Sequence, residues 1–297
     1  MTAVLALTTS LMWGLADFGG GLLTRRMSAL TVVVVSQALA MAVLGAIVVA
    51  TGGWSEWGPQ LWFAVAAGVV GPVAMLAFYR ALAQGPMGVV SPLASLAVLV
   101  PVGAGLALGE RPGWLQAVGL LIAVGGVMLA GGPELRGAPV QRRTLLLTLV
   151  AAFGFGAVLA LIEHASTTMT GLFLALFVQR VCNVLVGGAA LYAQVRRGTP
   201  ALPEDGTGEL GHPGYGRRVL TAALPALAFV GLADVAANGT YMVAAQLGPV
   251  TVAAVLASLY PLVTALAARG VLNERLRAVQ AAGAGLAVFG TVLLATG

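Results

Sequence analysis

Tyr241–Gly283, YMVAAQLGPVTVAAVLASLYPLVTALAARGVLNERLRAVQAAG, decides the reading of the chain, because a diverged copy of it occupies Tyr79–Gly119. Setting Tyr79 on Tyr241 brings Gln84 onto Gln246. One inserted residue then brings Pro86 onto Pro249, Leu93 onto Leu256 and Ser95 onto Ser258. A second single-residue slip sets Glu110-Arg111 on Glu274-Arg275, Gln116 on Gln280 and Gly126 on Gly290. Two copies of one apolar unit predict a duplicated membrane protein, a construction shared by many transporter folds.

Composition sets the same class. The chain is 59% hydrophobic and 8% charged, against about 25% charged in soluble domains, and its mean hydropathy is +0.98. Every basic residue is arginine, and the formal net charge of +5 comes from arginines scattered through short connectors, not from a basic fold. A nucleic-acid partner is therefore not expected. Cys182 is the single cysteine and lies in an apolar run, which rules out an internal disulfide or a cysteine-based metal site. No cofactor motif is present, and the expected partners are a lipid bilayer and a small-molecule substrate.

Outward from the repeat, apolar runs recur about every thirty residues, each near the roughly 20 residues that cross a bilayer core. Ten are readable: Thr2–Leu23, Leu30–Thr51, Leu61–Ala83, Val89–Leu108, Trp114–Ala130, Leu145–Ile162, Leu172–Val195, Val219–Ala244, Val250–Ala268 and Ala278–Ala295. The first lacks a basic leader and a small-residue cleavage site, so it reads as a retained span. Spans three to five match eight to ten, which predicts an all-α integral membrane protein with ten transmembrane helices arranged as two five-helix repeats. Residues 1–132 form the first repeat, 133–143 the connector and 144–297 the second, within a single transmembrane domain. An odd number of spans per repeat makes the second enter the membrane with the opposite orientation, so the repeats are inverted. The polar stretch Arg196–Arg218 reads as a loop.

Short arginine-rich loops tend to stay in the cytoplasm. Arg25, Arg26, Arg136, Arg142, Arg143, Arg196, Arg197, Arg217, Arg218, Arg275 and Arg277 share one face of the ten-span arrangement, and Arg111 lies on the other. Both termini are therefore expected outside the cytoplasmic membrane. Trp54 and Trp57 suit the outer interface this assigns them. Gly19-Gly20-Gly21, Gly105 with Gly109, and Gly125-Gly126 are read as close helix approaches. Pro72, Pro92, Pro101, Pro225 and Pro261 are read as kinks or interruptions within spans.

Trp13-Gly14 in the first span, the turn Leu-Gly-Glu-Arg at Leu108–Arg111 and its second version Leu-Asn-Glu-Arg at Leu272–Arg275 resemble the EamA branch of the drug/metabolite transporter superfamily. The resemblance covers the whole chain. It implies a secondary transporter that moves small organic metabolites by alternating access, often as an exporter, through a cavity between two five-helix halves. Better-known members keep both termini in the cytoplasm, whereas the arginine bias here places them outside. Uptake of a sugar or nucleotide sugar is the alternative within the superfamily.

The chemistry must lie among polar groups inside the spans, since a charge at mid-bilayer is kept only where it is paired or hydrated. Thr9, Trp13 and Asp17 recur every four residues on span one and share a face. Gln179, Arg180 and Asn183 form a polar patch on span seven, and Asp234, Asn238 and Tyr241 line a face of span eight. Trp13, Asp17, Arg180, Asn183, Asp234, Asn238 and Tyr241 are the predicted substrate-binding residues. Arg180 offers a planar fork to a carboxylate. Either aspartate offers an acceptor to an ammonium and, deprived of water, can take up a proton. Trp13 and Tyr241 offer ring faces to a cation. A zwitterionic amino acid or related amine would satisfy the set, with protons as the coupling ion. The competing reading makes Arg180 a structural clip, paired permanently with Asp17 or Asp234.

Other polar residues have simpler readings. Arg80 and Arg269, near span ends, can snorkel to the interface. Glu163 and His164 close span six in water. Glu110 and Glu274 suit helix N-termini. Ser95 and Ser258 can face the cavity or bond their own helices. The Asn238-Gly239-Thr240 sequon lies within a span and is read as accidental. No Gly-x-Ser-x-Gly, His-Glu-x-x-His or Walker motif occurs, and His164 and His212 are the two histidines. An intramembrane enzyme, a non-transporting scaffold and ATP-driven transport are disfavoured accordingly. Monomer and homodimer are both open.

Overall fold

The computed structural model describes residues 2–98, 100, 113–130, 140–166, 168–202, 215–247, 256–257, 259–272 and 278–296. Among them all regular structure is helical, the arrangement that lets each backbone polar group find its partner within its own segment in lipid. The helices are α1 (Thr2–Thr24), α2 (Ala29–Thr51), α3 (Leu61–Gln84), α4 (Met87–Ala94), α5 (Trp114–Ala130), α6 (Arg142–Glu163), α7 (Met169–Arg196), α8 (Tyr215–Leu247), α9 (Tyr260–Leu272) and α10 (Ala278–Thr296). Single 3-10 turns run over Gly53–Glu56 and Ser95–Val98. By length and composition α1, α2, α3, α6, α7 and α8 can each cross a membrane, and α5, α9 and α10 are shorter apolar helices.

Local sequence explains where several helices begin and end. Ser28 caps α2, its side-chain oxygen accepting from the Thr31 backbone N–H at 3.1 Å. Gly52 stops α2 at φ 66°, a left-handed conformation open to glycine, and its N–H bonds the Val48 and Val49 carbonyls. Thr168 caps α7 by accepting from the Gly171 N–H at 3.0 Å.

Two spans differ from the sequence expectation. The run read as one span over Val89–Leu108 starts at Met87 and is helical to Ala94, then tightens into the 3-10 turn at Ser95. Pro92, which has no N–H to give, sits inside α4, and the Ser95 hydroxyl donates to the Pro92 carbonyl at 2.6 Å. Pro261, read as a kink within the ninth span, instead stands in the first turn of α9, where a missing N–H costs nothing. Pro72 and Pro225 do lie inside α3 and α8. Pro101, Gly105, Gly109, Glu110, Arg111, Arg136, His212, Ser258, Glu274, Arg275 and Arg277 lie outside the described residues.

The outer surface is apolar, with Trp62 and Trp114 each 74% and Leu121 73% exposed, as lipid-facing residues should be. Buried apolar clusters hold the helices together inside. One joins Leu23, Val33, Phe78, Leu82, Met87 and Leu227 from α1, α2, α3, α4 and α8. Others join α2 to α3 and α7 through Val48, Leu61 and Leu174, and α2 to α7 and α8 through Leu44, Leu176 and Val235.

Helix pairing has a regular pattern. α2 packs on α7, α4 on α9 and α5 on α10. α1 packs on α8 as α3 does on α6, α3 on α7 as α2 does on α8, and α1 on α9 as α4 does on α6. Exchanging each of the first five helices with the one five places later leaves these nine pairs unchanged, whereas the α1–α3 and α4–α10 packings have no counterpart of like extent among the described residues. Small residues permit the closest approaches. Gly126 of α5 lies against the backbone at Ala287 of α10, whereas Gly125 faces open space. Gly20 of α1 lies against the ring of Tyr79 on α3.

Candidate substrate cavity

A cavity of about 180 Å3 lies between α1, α3, α6, α7, α8 and α9. Trp13, Asp17, Arg180, Asn183, Asp234 and Asn238, all singled out from sequence, line it together. Tyr241 does not line it. Its ring packs on Trp13, 6.1 Å between centroids, and so supports the wall from outside.

One wall is a hydrogen-bonded network. Arg180 is 5% exposed, Asn183 1% and Gln37 of α2 1%. The Arg180 Nη2 donates to Asp234 Oδ2 at 2.6 Å in an ion pair, and Nη1 donates to Gln37 Oε1 at 2.7 Å. Asn183 Nδ2 also donates to Gln37 Oε1, at 3.2 Å. One turn along α8, Asn238 Nδ2 donates to the Asp234 backbone carbonyl at 2.7 Å and to Oδ1 at 3.3 Å. Both carboxylate oxygens of Asp234 are thus engaged, and the network ties α2, α7 and α8 to one another. Of the two partners the sequence offered Arg180, the structure selects Asp234. Four atoms on this wall, Gln37 Nε2, Gln179 Oε1, Arg180 Nε and Asn183 Oδ1, are buried with no partner among the described residues. The close fit is set from α3, where a Cβ on Gly71 would stand 2.6 Å from Asn183 Oδ1.

The facing wall is different. Asp17 of α1 makes no hydrogen bond or ion pair among the described residues, although it lines the same cavity. Trp13 stands one helical turn away on the same face. Tyr260 meets it edge-on, 6.0 Å between centroids at 73°. The Thr264 hydroxyl of α9 donates to the Gly14 carbonyl of α1 at 2.9 Å. A Cβ on Gly14 would lie 2.5 Å from Val263, so glycine there lets α9 bring Tyr260 against Trp13. The remaining lining is largely apolar and aromatic, including Met75, Phe78 and Phe155, with Phe78 and Phe155 edge to face at 5.4 Å.

Three contributors were missed from sequence. Gln37 is one amide in an apolar run, and only its place beside Ser36, both buried, would have marked it. Tyr79 was visible as the start of the repeat but not as a cavity residue, and Tyr260 reaches the site through α9 packing on α1. His164 is exposed at the end of α6, its Nδ1 2.8 Å from the Ala160 carbonyl oxygen, and Arg269 is exposed near the end of α9. Asn238 and Thr240 of the sequon lie within α8, as read.

An all-helical, multi-span membrane protein with a charged cavity among its helices has the architecture of a solute transporter. The sequence profile of the EamA-like transporter family matches residues 1–132 and 142–296, and the chain belongs to that family, a drug/metabolite-type transporter family. Among curated proteins, none matches the chain. A solved structure titled only as the crystal structure of a protein is similar over 98% of this chain and 95% of its own, with a TM-score of 0.56 and 15% identity, a likeness of fold.

Proposed function

We propose that this transporter is a secondary carrier that moves a small organic amine or amino acid through the central cavity by alternating access. Protons exchanged at the intramembrane aspartates supply the drive, and export is the working direction. The observation that carries the reading is the cavity itself: two carboxylates and one guanidinium held within the bundle, with aromatic and apolar surface completing the lining. Membranes tolerate such groups where they serve a substrate or ion pathway. An apolar cavity of about 150 Å3 accepts a benzene ring, so about 180 Å3 suits one ring or a short chain.

The proposed frame is ten spans in two inverted repeats. The exchange-symmetric pairing of helices supports it, as does the break in the family match at residues 133–141, within the connector read from sequence. In this frame the two halves rock about the cavity to expose it on alternate sides.

The direct test is counterflow in proteoliposomes carrying a proton gradient, screening amines, amino acids and sugars. Wild type should exchange an amine or amino acid in counterflow, and net movement of that substrate should acidify the compartment it leaves. Asp17→Asn should abolish exchange, and Asp234→Asn and Arg180→Gln should reduce it at least tenfold. Undiminished exchange in all three variants would dismiss this site while leaving family membership intact. For the proposed orientation, Arg197→Cys in a Cys182→Ala background should resist labelling from outside intact cells; ready labelling would reverse it.

A further inference from the structure

We propose that the cavity selects a small organic monocation, an ammonium on an apolar or aromatic body, and that Arg180 holds Asp234 in place instead of receiving a substrate carboxylate. This rests on the reading of the cavity as the transport site and narrows its substrate class.

The first argument is a charge count. Asp17, Asp234 and Arg180 are the ionisable carboxylates and guanidinium lining the cavity among the described residues, so the site is neutral while Asp17 carries a proton and has one negative charge in excess once that proton leaves. An ammonium balances it. A carboxylate would bring a third negative group to a site with one guanidinium, in surroundings where unbalanced charge is expensive.

The second argument is the distribution of hydrogen bonds. Of the five N–H donors of Arg180, one on Nη1 goes to Gln37 and one on Nη2 to Asp234, which anchors the guanidinium to two neighbouring helices, and its Nε is buried with no partner among the described residues. Asp234 already accepts on both oxygens, from Arg180 and Asn238. Asp17 alone of the charged groups has both carboxylate oxygens unengaged among the described residues. The vacant acceptor among the charged lining groups is therefore the Asp17 carboxylate, which suits a ligand that brings donors and positive charge.

The third argument concerns the surroundings of that acceptor. Trp13, on the same face of α1 as Asp17, and Tyr260, packed on Trp13, line the cavity with it. Indole and phenol rings beside a carboxylate suit an alkylammonium, which takes charge attraction from one and ring-face attraction from the others. Phe78 and Phe155 offer the body of the ligand an apolar end.

Two probes that differ only in a carboxylate separate the classes: 2-phenylethylammonium and phenylalanine, titrated calorimetrically into the purified full-length protein in detergent at neutral pH. The amine should bind at least about tenfold tighter than the amino acid. Asp17→Asn should weaken the amine at least tenfold, Asp17→Glu should retain it, and Trp13→Leu should weaken it about threefold to tenfold. Thermal unfolding of each variant controls for folding. Equal or tighter binding of phenylalanine overturns the monocation inference and leaves the transport reading standing. Amine binding that survives Asp17→Asn, or no amine binding at millimolar concentration, overturns it too. If sugars alone exchange in counterflow, the amine reading beneath it falls as well.

Discussion

The two aspartates of the cavity are the same side chain under opposite management. Asp234 has an ion pair with Arg180, a second donor in Asn238 and a network reaching α2 through Gln37. Asp17 has an aromatic neighbourhood and no partner among the described residues. A satisfied buried charge fixes helices relative to one another, and its removal exposes its partner. An unsatisfied one stabilises little and is retained for what it can bind. On the proposed reading, the difference separates structure from function in a site where sequence alone offered both roles to both acids.

The largest effect should come from breaking the satisfied wall. Arg180→Gln strands the Asp234 carboxylate, and about 3–5 kcal/mol of stability should be lost, read as a lowered unfolding temperature in detergent. Adding Asp234→Asn to that variant should restore much of the loss, since removing both charges leaves neither unpaired. Asp17→Asn should leave stability unchanged or raise it by about 1 kcal/mol, because it deletes a charge without a partner. Transport should rank the other way, with Asp17→Asn the most damaging. A loss of stability for Asp17→Asn as large as for Arg180→Gln would erase the contrast.

A smaller effect tests whether the network is held from behind. Gly71→Ala places a Cβ 2.6 Å from Asn183 Oδ1, and relieving the overlap should cost about 1–3 kcal/mol. The strain falls on Asn183 and Gln37, so the variant should also weaken Arg180–Asp234 and lower the gain from restoring that pair. Gly188→Ala on α7, where no atom lies within 4 Å of the new Cβ, is the control and should change stability little. Equal losses in both would show that the network does not depend on α3.

The span pattern was legible because a bilayer-length apolar run is a strong signal, and helix ends at Ser28, Gly52 and Thr168 carry their caps in the sequence. Faces were legible too: the four-residue spacing of Thr9, Trp13 and Asp17 and of Asp234 and Asn238 needs only helical geometry. What failed was anything requiring the order of helices around the cavity. Arg180 could not be assigned to Asp17 or Asp234 without knowing that α7 and α8 both pack on α2, where Gln37 holds Arg180 and Asn183 of α7 and leaves Arg180 to reach Asp234 of α8. Tyr241 and Tyr260 show the same limit. Helical spacing put Tyr241 on the polar face of α8, but packing set it against Trp13 and gave the lining position to Tyr260, from a helix the sequence treated as scaffold.

The smallest effect concerns the seam between the two acids' helices. Thr9 of α1 and Thr240 of α8 share a hydrogen bond of 2.8 Å, a polar link from the helix of Asp17 to the helix of Asp234. Each hydroxyl also lies within reach of a carbonyl in its own helix, Leu5 at 3.1 Å and Ala236 at 2.9 Å, so neither is left without an acceptor when the other is removed. Thr9→Val should therefore cost only about 0.6 kcal/mol, the usual worth of an interhelical hydrogen bond in lipid, and should leave the apparent affinity for substrate unchanged. If it instead lowered stability as far as Arg180→Gln does, α1 and α8 would be coupled as one unit. Asp17 would then have to be read as part of the same structural clip as Asp234.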